Sequence, residues 1–334
     1  MARQSEEFIL AWQSLSSTDG NSGWRTIPIA PSGRCLLSAG RRFPGNEEAL
    51  LVRFPGASLP AADKLPEGQG FNVERVDLNQ AGTLSLALSR KSTGSAELFL
   101  AMACDVAGAL DAETSLDPQR SLRGFLGRVR AWQEFMRTGG QALSAEAETG
   151  LIGELTMLSA IVETGMPPAA AIESWVGPLG GTQDFLLGTG AIEVKATLAS
   201  SGFPARIVSL DQLDDSVRQP LFLAGLRFRQ HADGRSLPES VADLRSRTGD
   251  DTEAGRMLAE RLLAAGYLGS HAGRYSRRVE LAEMRILLVT ASFPRLTHAT
   301  VPAGIFRAAY ELDLDRVHGN GLSLVEALQA LKVL

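Results

Sequence analysis

Alternating apolar and polar positions mark the first part of the chain. The alternation is clearest over Leu84–Leu88 and Leu98–Cys104, and a period of two predicts strands with one buried face. A helical stripe follows over Leu122–Met136, with Asp117 and Pro118 suited to its start. The pattern breaks at Thr138–Gly140. The sequence therefore predicts a strand-rich N-terminal domain over residues 1–140 that ends in an amphipathic helix.

Helical and strand patterns alternate beyond residue 140. A helix is predicted from Ser144, a suitable N-cap. Strand patterns follow at Ser174–Val176, Asp184–Leu187, Ala191–Thr197, Arg206–Leu210 and Leu221–Phe228. The remaining pattern predicts helices at Pro238–Arg247, Thr252–Ala265 and Ser323–Leu331, and strands at Arg278–Val289 and Tyr310–Val317. This order is typical of an α/β (α+β) fold with a mixed central sheet flanked by helices. We place that domain at 141–334, with its core at about 144–229 and a C-terminal extension.

Composition restricts the class of protein. Hydrophobic residues make up 44% of the 334 positions, enough to bury a sizeable core. Residues 1–15 contain two glutamates and do not resemble a secretory signal. No segment has the roughly 18 apolar residues of a membrane span. With only two cysteines, far apart in sequence, we expect free thiols, a cytoplasmic location and no membrane association. The net charge of -5 argues against nonspecific coating of nucleic acid, although a local basic groove stays open.

Lysine is scarce, which draws attention to one strand. Of the 33 basic residues only Lys64, Lys91, Lys195 and Lys332 are lysines. Lys195 lies in the middle of a predicted strand, where a charge requires a reason. The compact ammonium of lysine can approach a reacting atom in ways that a planar guanidinium cannot.

The segment from Asp184 to Lys195 has the pattern of a hairpin that turns near Gly188–Gly190. Glu193 and Lys195 are two residues apart on the second strand, so they share a face. Asp184 joins that face only if the turn contains an even number of residues. We expect a pairing that places Asp184 opposite Lys195, because an odd turn would place it opposite Val194 on the other face.

Two carboxylates and one ammonium on one face suit phosphodiester chemistry. Carboxylate oxygens bind hard cations such as Mg²⁺, which activates water and neutralises growing charge. Lys195 would hold the attacking water. The alternative is a surface acid pair with an exposed salt bridge of roughly 0–1 kcal/mol. Glu154 lies at the rim of the apolar stripe of its helix and is either a further site residue or a solvated glutamate.

The pattern resembles the PD-(D/E)XK superfamily of restriction-endonuclease-like proteins, with Gln183 in place of the proline. The wider context resembles a branch of uncharacterised members from bacterial restriction and defence gene clusters. That likeness is carried by Gly150–Leu155, Trp175, Ala191–Lys195, Ser209–Leu213 and Phe293–Arg295.

The resemblance implies roles for individual residues. Asp184 and Glu193 would bind Mg²⁺, for which Mn²⁺ can substitute, with the Val194 carbonyl and Glu154 as further ligands. Lys195 would be the catalytic lysine. Gln212 would be an accessory polar residue, or only a local turn contact.

The function so predicted is a metal-dependent endonuclease that cuts DNA in a restriction or anti-phage system. The chain would act as a homodimer or with other defence-system subunits. Two alternatives are a catalytically silent DNA- or partner-binding subunit and a phosphodiesterase for RNA or a nucleotide. Arg227 and Arg229 form either a solvated face or a strip facing phosphates. The four histidines have no metal-ligand spacing, and no phosphate-binding loop or serine nucleophile motif is present.

Overall fold

The chain divides into two compact units, Met1–Gln141 and Ala142–Leu334. The computed structural model describes residues 5–16, 22–29, 35–77, 82–112, 117–137, 141–249, 251–317 and 321–334. The predicted break at 138–140 lies outside the described residues. Both units combine helices with sheets, so the predicted α+β class is confirmed.

The first unit pairs one antiparallel sheet with helices. The strands are β1 (Gly23–Pro28), β2 (Leu36–Phe43), β3 (Glu47–Pro55), β4 (Phe71–Arg75) and β5 (Thr83–Arg90). They lie in the order β1-β2-β3-β5-β4. The helices are α1 (Ser5–Leu15), α2 (Ala96–Ala112) and α3 (Pro118–Arg137). The predicted helix beginning at Pro118 is confirmed as α3, and the strand over Leu84–Leu88 is confirmed within β5.

The strand predicted at Leu98–Cys104 is wrong, because this segment belongs to helix α2. Phe99, Met102 and Val106 are buried at helical spacing. The apolar run there is nearly continuous, so it fits a period of two as well as a period of 3.6. Asp105 decides between them, because on a helix its carboxylate accepts a 2.6 Å hydrogen bond from Arg128 on α3.

The second unit contains two sheets. Its helices are α4 (Ala145–Glu163), α5 (Pro168–Ser174), α6 (Leu237–Thr248), α7 (Thr252–Ala264) and α8 (Leu324–Ala330). Its strands are β6 (Phe185–Leu187), β7 (Gly190–Thr197), β8 (Pro204–Ile207), β9 (Leu221–Arg235), β10 (Val279–Leu288) and β11 (Tyr310–Asp313). The main sheet has the order β10-β9-β7-β6, and β8 pairs with β11. Strands β7 and β9 are parallel and the other pairs antiparallel, so the sheet is mixed.

Helix α4 covers the centre of this sheet. Ser144 caps it by accepting a 3.2 Å hydrogen bond from the Ala147 amide. Its apolar residues join a core with the inner faces of β7 and β9. A Cβ at Gly153 would lie 2.6 Å from the Ala196 Cβ on β7. Glycine at this position therefore allows the helix to approach the strand closely.

Some predicted boundaries differ from the observed ones. Pro168–Ser174 is helical, and Trp175 alone bridges to Phe185 where a strand was predicted. The strand predicted from Tyr310 ends at Asp313, where a short 3-10 turn begins. Among the described residues, none of the helices has both the length and the apolar character that crossing a membrane requires.

Candidate active site

A tight hairpin carries the predicted site residues. Strands β6 and β7 pair Leu187 with Gly190, so the turn between them contains only Gly188 and Thr189. Gly188 has a φ of 54°, and a Cβ there would lie 1.9 Å from the Leu331 carbonyl oxygen. The turn therefore requires glycine. The predicted even-numbered turn is confirmed.

The register differs from the expected one by two residues. Asp184 directly precedes Phe185, which pairs with Ile192, so Asp184 reaches the row of Glu193 and not that of Lys195. The expected pairing was wrong because Gly190 belongs to the strand and not to the turn. A shift by two residues keeps every side chain on its original face.

Asp184 is held at the edge of β7. Its Oδ2 accepts a 2.7 Å hydrogen bond from the Val194 amide, at the point where β6 no longer pairs with β7. Because the N–H and C=O of a strand residue point to the same edge, the Val194 carbonyl also faces Asp184. The structure thus brings one carboxylate and one backbone carbonyl to the same edge.

Glu193 and Lys195 form a buried ion pair on the face of β7. Lys195 Nζ lies 2.7 Å from Glu193 Oε1, and their side chains are 15% and 1% exposed. Gln212 Nε2 donates a 2.7 Å hydrogen bond to the same oxygen. Gln212 Oε1 accepts from the Val208 amide. Gln212 is therefore both a local loop contact and a direct partner of Glu193.

Glu154 approaches the hairpin from helix α4. The close contact at Gly153 places this turn of the helix against β7. The Trp175 indole donates a 2.6 Å hydrogen bond to Glu154 Oε2. Trp175 supported the resemblance by its position in the sequence, but its role as a partner of Glu154 had no sequence signal.

Gly177 marks the point where two of the carboxylates meet. A Cβ on this residue would lie 2.6 Å from Asp184 Oδ1 and 3.4 Å from Glu154 Oε2. The Gly177 amide also donates to the Asp184 carbonyl at 3.0 Å. The absence of a side chain at 177 therefore leaves room for both carboxylates. Sequence reasoning did not single out this glycine.

The comparison with protein families agrees with this geometry. A family model described as "Putative PD-(D/E)XK family member, (DUF4420)" matches residues 8–315. The chain belongs to this family. The match extends over both units, so the first unit belongs to the region that this family model describes. No match was found among curated proteins, and none among solved structures.

Burial raises the pKa values of all three acids at this candidate site. The pKa of Glu154 is raised to about 8, first by burial and then by the charge of Asp184. The pKa of Glu193 is raised well above its usual value by the same two causes, with Lys195 opposing them. Burial also raises the pKa of Asp184, against its hydrogen bond from Val194. Burial therefore disfavours the charged carboxylates, and a bound cation would compensate their charge.

The donor atoms fit a hard divalent cation. Glu193 Oε2 is buried without a hydrogen-bond partner, which is costly for a carboxylate unless an ion or water satisfies it. In the part of the chain that the structure describes, no three His, Cys, Asp or Glu side chains are placed to hold a metal ion. Mg²⁺ sites often use one or two carboxylates with water and substrate phosphate oxygens. Asp184 and Glu193 with the Val194 carbonyl match that kind of site.

The two arginines on β9 have protein partners. Arg227 bonds to Glu283 and lies over the Phe203 ring, with its Cζ 4.7 Å from the ring centroid. Arg229 pairs with Glu280 at 2.9 Å. Of the two interpretations left open by the sequence, these contacts favour a structural role over a strip that faces phosphates.

We predict that Gly177→Ala lowers activity without removing any site side chain. The added Cβ would overlap Asp184 Oδ1 and displace the carboxylate, and a shift of about 1 Å can reduce a rate on the order of 100-fold. The rate of metal-dependent DNA cutting tests this.

Gly180→Ala in the adjoining turn is less suitable as a control, because Gly180 has a positive φ. Gly150→Ala on α4 meets no neighbouring atom and should leave the rate unchanged. Equal rates for wild type and Gly177→Ala would contradict the prediction.

Proposed function

We propose that the chain is a metal-dependent endonuclease that hydrolyses DNA phosphodiester bonds in a bacterial restriction or anti-phage defence system. The observation that supports this most is the Asp184, Glu193 and Lys195 cluster on one hairpin of a PD-(D/E)XK family member. A buried cluster of this kind is costly to maintain without a function. The defence role rests on the resemblance of the sequence alone.

Asp184 and Glu193 would hold Mg²⁺, together with the Val194 carbonyl, and Glu154 is a further candidate ligand. Mn²⁺ could take the same place. When bound, such an ion lowers the pKa of a water and neutralises charge on the phosphate. The unpartnered Glu193 Oε2 and the space at Gly177 support this assignment.

Lys195 would orient the attacking water and stabilise the negative charge that develops on the phosphate oxygens. Its ammonium is held by Glu193, which is held in turn by Gln212. This chain of contacts fixes the direction of the Nζ donors. Glu154 accepts a hydrogen bond from the Trp175 indole N–H. This bond orients the other carboxylate oxygen of Glu154. The residues thus supply a positioned donor beside oxygen ligands.

Plasmid cutting tests the proposal. We expect nicking or linearisation of supercoiled plasmid with Mg²⁺ or Mn²⁺, no reaction in EDTA, and a loss of about 100-fold or more in Asp184→Asn. Asp63→Asn, at an exposed position in the first unit, should cut like wild type. Metal-independent cutting that survives Asp184→Asn would contradict the proposal. Absence of cutting with either metal would favour the alternative, a silent DNA- or partner-binding subunit.

Cutting both strands of a duplex usually needs two such sites, one for each strand. We therefore include in the proposal a homodimer or a complex with other defence-system subunits. Light scattering of the chain with and without DNA tests the homodimer, and a monomer under both conditions would contradict it.

A further inference from the structure

One phenylalanine lies fully on the surface. The chain has 13 phenylalanines, and all of them except Phe306 are buried. The Phe306 side chain is 90% exposed, and Ile305 beside it is 43% exposed. The segment turns at Gly304, whose φ is 94°. The two neighbouring side chains form an exposed apolar tip that is available for contact with another molecule.

A short length of chain connects the tip to a strand pair that adjoins the candidate active site. Tyr310, four residues after Phe306, pairs with Ile207 across β11 and β8. The next amide, that of Val208, bonds to Gln212, the partner of Glu193. Four residues span at most about 14 Å. Phe306 is therefore within that distance of a strand pair that adjoins the site.

Electrostatics support the same placement. Burial raises the pKa of the Tyr310 phenol, and the Lys195 ammonium acts against this increase. The two side chains are therefore close enough for their charges to interact.

Both sides of the exposed tip are anchored. The Tyr310 hydroxyl accepts a 3.0 Å hydrogen bond from the Leu296 amide. Arg295 donates to the Leu213 carbonyl at 2.6 Å and pairs with Asp215 at 2.8 Å. These contacts tie the two ends of the segment to the loop that carries Gln212. The segment that carries Phe306 is therefore held at both ends.

Nucleobases are the partner that this chemistry fits. An aromatic ring stacks on the face of any base, whatever the sequence. Arg307, the next residue, is also exposed and can bind a backbone phosphate. A base inside an intact duplex has both faces covered by its neighbours. A ring can reach a base face only where the stack is interrupted.

We propose that Phe306 stacks on an unpaired base beside the cut phosphodiester, with Arg307 on the adjoining phosphate, so that the site acts on DNA whose base stack is interrupted. This inference rests on the proposed nuclease function and names its substrate class. Suitable substrates are single strands and duplexes with unpaired bases.

Binding without cutting tests the inference. Fluorescein-labelled oligonucleotides of equal length would be used in EDTA: a single strand, a duplex with central unpaired bases and a perfect duplex. We expect Phe306→Ala to bind the first two about tenfold more weakly, and Phe306→Trp to bind them like wild type. Val325→Ala, which removes another exposed apolar side chain, serves as the matched control and should bind like wild type.

A base analogue provides a spectroscopic check. With 2-aminopurine at the unpaired position, wild type and Phe306→Trp should quench its fluorescence by stacking, and Phe306→Ala and Phe306→Leu should not. Because Phe306 is almost fully exposed, these variants are expected to fold normally, which thermal unfolding verifies.

Each remaining outcome counts against the inference. If wild type cuts plasmid while Phe306→Ala binds and quenches like wild type, the inference fails and the nuclease proposal stands. If Phe306→Ala weakens binding to the perfect duplex equally, the substrate class is wrong. If wild type neither binds these probes nor cuts plasmid, the proposed function fails and the inference fails with it.

Discussion

Lys195→Ala is expected to lower the rate of metal-dependent plasmid cutting by about 100- to 1,000-fold, the loss typical of removing one donor that stabilises the transition state. Its ammonium is the only lysine nitrogen placed on the hairpin, 2.7 Å from Glu193 Oε1. In the mutant, the buried Glu193 carboxyl can take up a proton, because burial raises its pKa. The fold should therefore tolerate the change better than catalysis does.

Lys91→Ala is the matched control for this experiment. Lys91 Nζ also lies 2.7 Å from a glutamate oxygen, that of Glu67, but this pair is more exposed. Loss of an exposed pair costs roughly 0–1 kcal/mol, so cutting should be unchanged. Lys195→Arg keeps the positive charge but replaces the compact ammonium with a planar guanidinium. We therefore expect this variant to retain little cutting activity. Cutting by Lys195→Ala at the wild-type rate would show that this lysine serves the fold only.

Glu154→Gln is expected to stabilise the metal-free protein at pH 8 and above. Burial raises the pKa of Glu154 from its ordinary value of 4.5 to about 8. At a pH below the ordinary pKa, the Glu154 carboxyl is protonated in both the folded and the unfolded state. As the pH rises, the unfolded state loses its proton first, so stability decreases until the folded state also ionises. Wild type should therefore lose stability between about pH 4.5 and 8, and Glu154→Gln should lose less.

Thermal unfolding in EDTA across this pH range measures the effect. One pKa unit corresponds to about 1.4 kcal/mol, so we expect a difference of at least about 3 °C at pH 8. Mg²⁺ or Mn²⁺ should raise the unfolding temperature of wild type more at pH 8 than at pH 6, because the metal competes with protons for the carboxylates. Glu146→Gln, at an exposed position on the same helix, is the control. Identical pH profiles for wild type and Glu154→Gln would refute this account.

The sequence alone was sufficient for the parts of the site that depend on local periodicity. Alternation on β7 placed Glu193 and Lys195 on one face. The requirement that Asp184 share this face correctly predicted a turn with an even number of residues. The expected register was wrong by two residues, because Gly188 and Gly190 both suit a turn. The structure distinguishes them, because Gly190 pairs with Leu187 and Gly188 has the positive φ of a turn residue.

Features that depend on contacts distant in sequence were missed. The Trp175 bond to Glu154 joins residues on different elements, and the space at Gly177 exists only because Asp184 and Glu154 converge there. Neither leaves a periodic signal. Helix α2 was missed for a different reason, since its apolar run satisfies two periods and its packing against α3 decides between them.

The contact between Gly153 and Ala196 has a consequence for the energetics of the proposed catalysis. Glu154 is carried by a helix that touches β7 almost backbone to backbone, and the other site residues lie on the hairpin itself. The acids and the lysine are therefore assembled before any substrate arrives. A site that is already organised needs little rearrangement when charge develops in the transition state. Folding already orients the dipoles of the site. The free-energy cost of orienting them therefore arises once, when the chain folds, and not at every turnover.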